Sequence, residues 1–119
     1  MVKVLILEDS IERQKLFKEN FTGAEMVIVE TAADAIKALQ SQKWDYMFFD
    51  HDLGGAAYVK ETEANTGSGV ARWLKEHPER MPDNILVHSA NDSGAKNIIS
   101  LIGGQRAPFV WIKKIDFGA

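Results

Sequence analysis

The sequence predicts an α/β domain in which helices cover both faces of a parallel β-sheet. Two observations predict it. Short apolar runs alternate along the whole chain with longer amphipathic segments, the order produced by parallel strands joined by crossover helices. Four of the five apolar runs also end in polar, chemistry-bearing residues, as expected where strand carboxyl ends border a ligand crevice.

The elements come in order along the chain. Val2-Lys3-Val4-Leu5-Ile6-Leu7 is short, β-branched and stopped by Glu8-Asp9, which is how a buried strand reads. Ser10 is placed to cap a helix over 13–20 that turns Leu16 and Phe17 inward. Residues 26–29 form a second strand, and Thr31 caps a helix with Ala35, Ile36 and Leu39 on one face. Tyr46-Met47-Phe48-Phe49 is the third and most apolar strand, and it runs into Asp50-His51-Asp52. Residues 53–66, with Gly54-Gly55 and a charged stretch, read as a long loop. A helix over 69–76 presents Val70, Trp73 and Leu74 and stops at His77-Pro78. Residues 84–87 are a fourth strand leading to His88, Ser89 and Asn91; 95–101 are helical. Residues 109–112 are a fifth strand leading to Lys113 and Lys114.

Composition excludes several classes of function. There is no Cys, so disulfides, thiol nucleophiles and thiolate metal sites are absent together. A net charge of −3 without a basic run leaves no footprint for duplex DNA. The first apolar run is too short for a signal peptide or a membrane span, so a cytoplasmic protein is expected. Without repeats or low-complexity linkers, residues 1–119 are read as one domain. Asp116-Phe117-Gly118 copies a kinase triplet without its companion motifs, and neither Gly67-Ser68-Gly69 nor Gly103-Gly104 continues as a phosphate-binding loop.

A single acid at a strand end is usually only solvated. Here Glu8, Asp9, Asp50 and Asp52 converge on one sheet edge, where they would raise one another's pKa unless a cation joined them. Oxygen ligands with open positions suit Mg²⁺ or Mn²⁺, which also bridge to phosphate. Ser89 and Lys113 on neighbouring strands complete a metal-plus-phosphate pocket.

Those residues resemble the CheY-like receiver domains of two-component signalling along nearly the whole chain. The matching pieces are Val4-Leu5-Ile6-Leu7-Glu8-Asp9, Asp45-Tyr46-Met47-Phe48-Phe49-Asp50, Val87-His88-Ser89-Ala90 and Val110-Trp111-Ile112-Lys113. The resemblance implies a doubly wound, flavodoxin-like sheet of five strands in the order 2-1-3-4-5. It also implies a metal held by Glu8, Asp9, Asp50 and the Asp52 carbonyl. Asp50 would then be the phosphoacceptor, with Ser89 and Lys113 on the phosphoryl group and a histidine kinase or phosphotransfer protein as partner.

Four departures narrow this. Lys114-Ile115 stands after Lys113 where receivers have Pro and an aromatic; His51 and His88 flank the site; the 53–66 loop is long; and no residues remain for a last helix. Asp50-His51-Asp52-Leu53-Gly54 together with His88-Ser89-Ala90-Asn91, Gly94-Ala95 and Asn97 is similar to the receiver-derived group thought to process cyclic phosphates. That resemblance implies a metal-dependent phosphoesterase acting on RNA ends or on nucleotide-like small molecules. Opening a cyclic phosphodiester needs a base and an acid, roles a histidine near neutrality can fill, so Asp50, His88 and His51 are the candidate catalytic residues. Ser89, Lys113 and Asn91 would bind phosphate. His88 can also be a core histidine bonded to a carbonyl, and alternation along an extended segment can turn His51 away. The missing helix should bare an apolar face near the first and fifth strands, to be covered by a homodimer or by the long loop.

Overall fold

β1 (Val2–Leu7) carries four consecutive fully buried residues, Val4 to Leu7, because it lies in the interior of a sheet covered on both faces. The computed structural model describes residues 1–53, 63–107 and 113–118. After β1 come α1 (Ile11–Asn20), β2 (Phe21–Thr22), β3 (Ala24–Val29), α2 (Ala32–Ser41) and β4 (Tyr46–Phe49). α3 (Gly67–Glu76), β5 (Asn84–Val87), α4 (Asp92–Ile102), β6 (Gln105–Arg106) and β7 (Ile115–Asp116) complete the order. The main sheet is wholly parallel in the order β3-β1-β4-β5-β6, the 2-1-3-4-5 arrangement of a CheY-like fold.

Alternation along the strands divides the interior in two. Leu5, Leu7, Met47, Phe49 and Val87 point toward α2, α3 and α4, where they meet Ala35, Leu39, Val70, Leu74 and Ile98. Val4, Ile6 and Phe48 point the other way, toward Phe17 and Phe21. Phe17 packs edge-on against both Phe21 and Phe48, at 5.2 and 5.8 Å between ring centres. Leu16, expected inward beside Phe17, is exposed. Adjacent helical positions stand about 100° apart, so one narrow buried stripe, here Gln14 and Phe17, has no place for both.

Each long helix is capped by a side chain that accepts from a backbone N–H in its first turn. Ser10 and Thr31 cap α1 and α2 as the sequence indicated, and Thr66 and Asn91 cap α3 and α4. Trp44 is buried, and Trp73 stacks on His77 at 4.2 Å beside the end of α3.

The fifth position of the sheet is taken by Gln105–Arg106. The strand expected over 109–112, with Trp111, lies outside the described residues. Gly103 and Gly104 explain the early strand: with φ of 77° and 103° they end α4 and return the chain at once to β5. A side chain on Gly104 would stand 2.7 Å from the Ile85 carbonyl. Gln105 and Arg106 carry none of the β-branched character that marks a strand in sequence, and a two-residue edge strand needs none.

Among the described residues no helix comes after α4. Instead β7 pairs in parallel with β2, and Phe117 packs against Phe21 and Tyr46 at 5.3 and 5.1 Å. This small second sheet covers part of the apolar face that the sequence left bare. A cleft of about 300 Å³ remains beside it, among Val2, Tyr46, Phe48, Leu86 and Phe117. No helix of the described residues is long and apolar enough to cross a membrane.

If the terminal turn seals the sheet, Phe117→Ala should cost about 1–3 kcal/mol, less than the roughly 3–5 expected for fully buried Phe17→Ala. Urea denaturation of both variants measures this; an unchanged midpoint for Phe117→Ala would show that the turn contributes nothing.

Candidate metal centre

Three strands end at one level, and the backbone holds the first residue beyond each. Glu8 donates its N–H to Val29 O at 2.9 Å, Asp50 to Leu7 O at 3.0 Å, and His88 to Phe49 O at 2.9 Å. Sheet pairing thus continues one residue past β1, β4 and β5, and these three side chains leave the sheet as neighbours. Ligand atoms of Glu8, Asp50 and His88 lie within 4.8 Å of one another, and all three residues are buried.

Their contacts define distinct roles. Glu8 Oε1 lies 3.1 Å from His88 Nε2, and Oε2 accepts from the Ser10 N–H at 3.0 Å. An ionised carboxylate only accepts, so Nε2 of His88 carries the proton and donates it to Glu8. Phe17 presses edge-on against the His88 ring at 5.1 Å and holds its plane. Asp50 Oδ1 accepts from the His51 N–H at 2.8 Å. Arg13 reaches over both acids, with Nη1 at 3.7 Å from Glu8 Oε1 and 3.9 Å from Asp50 Oδ2.

Two carboxylates this close and this dry do not ionise together easily. Asp50 is pushed up to about 8, first by burial, then by the charge of Glu8 and a hydrogen bond shared with it; Arg13 and the His51 N–H oppose the rise. Burial also acts to raise Glu8, yet His88, the Ser10 N–H and Arg13 together bring it below its ordinary value. Burial lowers His88 against the pull of Glu8, so the imidazole stays neutral at its donating post. Without a metal the pair therefore holds one proton at neutral pH. A divalent cation would relieve that strain, and two adjacent buried carboxylates fit a hard cation.

The remaining expected residues fall elsewhere. His51 is buried outside the cluster, its ring flat against the first turn of α4 where any side chain on Gly94 would stand 2.3 Å from Cγ. Its Nδ1 meets Asp52 Oδ1 at 3.0 Å, and Asn91 Nδ2 donates to the same oxygen at 3.0 Å. Asn91 is thereby occupied as the cap of α4 and as a tie to Asp52. Ser89 Oγ accepts from the Asn91 N–H at 3.1 Å, so the hydroxyl shapes the turn after β5. Asp9 and Asp52 are not members of the three-residue cluster. Lys113 is exposed and makes no ion pair with Asp50 among the described residues. Sequence reasoning missed Arg13. The available signal was a cation in the first turn of a helix, where the backbone dipole disfavours positive charge.

A family model described as the cyclic-phosphate processing receiver domain matches residues 4–104. No curated protein matches the chain. Among solved structures, it is similar to the phosphorylated cyanobacterial phytochrome response regulator RcpA, with TM-score 0.73 and 18% identity over 90% of this chain and 79% of that one. It is also similar to the response regulator TrrA of Thermotoga maritima in complex with Mg²⁺ and BeF, with TM-score 0.66 and 19% identity over 91% and 86% of the two chains. A response regulator in its Mn²⁺-bound form gives TM-score 0.66 and 20% identity over 91% and 81%. At these identities the likeness establishes the fold.

The Asp50 shift has a signed consequence for the metal-free chain. A carboxyl with a folded value of about 8 against 3.8 contributes stability in full below the unfolded value, and loses it as pH rises toward about 8. Denaturation midpoints taken in chelator across that range should fall for the wild type relative to Asp50→Asn. Parallel curves for the two would remove the shared proton.

Proposed function

Because the chain belongs to the cyclic-phosphate processing receiver domain family, we propose that it is a divalent-metal-dependent phosphoesterase that opens cyclic phosphates on RNA ends or nucleotides. The observation that carries this reading is the buried Glu8–Asp50 pair, with its single proton, at the carboxyl edge of the sheet. Glu8 and Asp50 would hold Mg²⁺ or Mn²⁺, with Asp9 and the Asp52 carbonyl as the further ligands implied by receivers. A cation there would polarise a phosphoryl oxygen and offset the charge that builds on it.

Ring opening forms one bond from a water oxygen to phosphorus and breaks one phosphorus–oxygen bond of the ring. A proton leaves the water for a base, and the same group, once protonated, would return a proton to the departing ring oxygen. His51 suits the accepting role: its Nδ1 faces Asp52, which leaves the Nε2 lone pair, buried and without a hydrogen-bond partner among the described residues, as the basic site. His88 acts through Glu8. Its Nε2–H fixes the carboxylate that holds metal, in the way outer histidines and carboxylates orient metal ligands. Ser89 and Lys113 stand as phosphate contacts on the resemblance to receivers alone.

A second reading has one observation behind it, the likeness of fold to a response regulator that is itself phosphorylated. On that reading Asp50 accepts a phosphoryl group from a histidine kinase or phosphotransfer protein.

The two readings separate in one experiment. Incubated with Mn²⁺ and a panel of 2′,3′-cyclic nucleotides, the wild type should turn over at least one of them. Chelator should abolish the turnover, and Asp50→Asn should reduce it by roughly 10²-fold or more. Absence of turnover, with an acid-labile phosphoryl adduct from acetyl phosphate that Asp50→Asn loses, would instead establish the receiver reading. His88→Ala should weaken Mn²⁺ binding about 10–100-fold, measured by calorimetry, whereas a direct proton-transfer role would leave metal affinity unchanged.

A further inference from the structure

The hydrogen bonding of the sheet runs on past β5, and there a side chain completes it. The peptide joining Val87 to His88 lies between two neighbours. Its carbonyl accepts from the Ala107 N–H at 2.8 Å on the β6 side, and its N–H donates to Phe49 O at 2.9 Å on the β4 side. Peptides two residues apart along an extended segment have the same sense, so the peptide joining Ser89 to Ala90 also turns its carbonyl toward β6. The donor met there belongs to a side chain of the two-residue β6: Arg106 Nη2 donates to Ser89 O at 2.8 Å.

Arg106 is well placed to hold that carbonyl. Its register partner is Val87, and from there to Ser89 is two residues, about 7 Å of strand, which an arginine side chain spans. Nη1 pairs with Asp92 Oδ1 at 2.8 Å, so the guanidinium is braced from α4 and its charge is matched. Nε is shut away from solvent without an acceptor. A buried donor left unsatisfied offsets part of what the other two contacts contribute to folding, so stability alone accounts poorly for an arginine here.

A trans peptide directs its N–H opposite to its C=O. With Ser89 O held on the β6 side, the Ala90 N–H is directed toward the β4 side, where Asp50 follows Phe49. Ala90 is exposed, and its N–H meets no acceptor among the described residues. The next N–H, of Asn91, is already taken by Ser89 Oγ at 3.1 Å.

We propose that Arg106 is a positioning residue of the site: by holding the Ser89 carbonyl from the β6 side, it turns the Ala90 N–H toward the crevice beside Asp50 as a donor to a phosphate oxygen. This rests on the metal-dependent reading above. It gives the cation of the fifth strand an indirect task, in contrast to the direct phosphate contact expected of Lys113. The chemistry it favours is an oxyanion with one oxygen on the metal and another free to accept from the main chain.

The test follows two resonances and two affinities. In the isotope-labelled full chain, inorganic phosphate added at saturating Mg²⁺ should shift the Ala90 amide and leave Arg106 Nε–H in place. Calorimetry with Mg²⁺, and then with phosphate at saturating Mg²⁺, compares wild type with Arg106→Met and Arg106→Lys. Arg106→Met should keep its Mg²⁺ affinity and bind phosphate about 5–10-fold more weakly. Arg106→Lys, which retains a donor, should recover part of that loss. An unmoved Ala90 amide would overturn the proposal, and so would a phosphate-induced shift of Arg106 Nε–H, which would mark direct contact. Unchanged phosphate affinity in Arg106→Met, or equal losses for Mg²⁺ and phosphate, would also overturn it. The wild-type resonances decide the matter even where circular dichroism shows Arg106→Met to be unfolded. No Mg²⁺ binding by the wild type would instead overturn the reading on which the proposal rests.

Discussion

The site depends on the fact that parallel pairing does not stop where the strands do. One further hydrogen bond on each of three strand ends, Glu8 to Val29, Asp50 to Leu7 and His88 to Phe49, fixes the backbone of the residues that carry the chemistry. Strand register decides which residues meet there. Leu7 is opposite both Val29 and Phe49, and Phe49 is opposite Val87, so the next residue on each strand arrives at the same height. A slip of one residue in β4 would send Asp50 to the other face of the sheet and place a neutral side chain beside Glu8. The aromatic packing of Phe48 on Phe17 and Phe21 resists that slip. Core packing and site geometry are thus enforced by the same residues.

Forcing two acids together in a dry place conflicts with ordinary folding electrostatics, and the fold answers with three unequal devices. A buried neutral His88 donates to Glu8, a backbone N–H donates to each acid, and a half-exposed Arg13 sits above both. The first two are rigid and favour ionised Glu8 in particular. The third is loose. None of them satisfies Asp50 fully, which is why it retains a proton well above the usual carboxylate range. Such residual conflict at a strand edge is what a divalent cation would relieve.

Much of the fold was legible in the sequence because its signals are dense. The runs of β1 and β4 are apolar on both faces, the acids that stop them are abrupt, and Ser10 and Thr31 are cap residues in their usual place. The features that stayed hidden depend on contacts between distant segments. Gln105–Arg106 forms a strand because two glycines aim it at β5, and β2 pairs with β7 across most of the chain, neither with any local propensity to read. Leu16 and Phe17 illustrate a smaller limit: both are apolar and were expected inward, but only Phe17 falls on the buried stripe. Within the site, residue types gave the acids and histidines, but only geometry separates His88, bonded to Glu8, from His51, bonded to Asp52. Arg13 offered only a weak signal, a cation in a helix's first turn, which gains meaning once Glu8 and Asp50 are known to be its neighbours.

The proton inventory separates the two functions considered for this scaffold. Transfer of a phosphoryl group to an aspartate joins an ionised carboxylate to phosphorus, and the protein need neither take nor give a proton at the reacting atoms. Hydrolysis of a ring phosphodiester moves two protons, one off water and one onto the departing oxygen. A plain acidic pocket would serve the first reaction. The second calls for a group whose lone pair is directed by a partner, and on the reading proposed above that group would be His51, held through Nδ1 by Asp52, which Asn91 in turn holds from the cap of α4. Gly94 is part of that arrangement, since any larger residue would displace the imidazole from the helix. The contacts from the α4 cap through Asp52 to His51 would therefore matter to the hydrolytic reading and not to phosphoryl transfer, which makes His51 the residue on which the two readings differ.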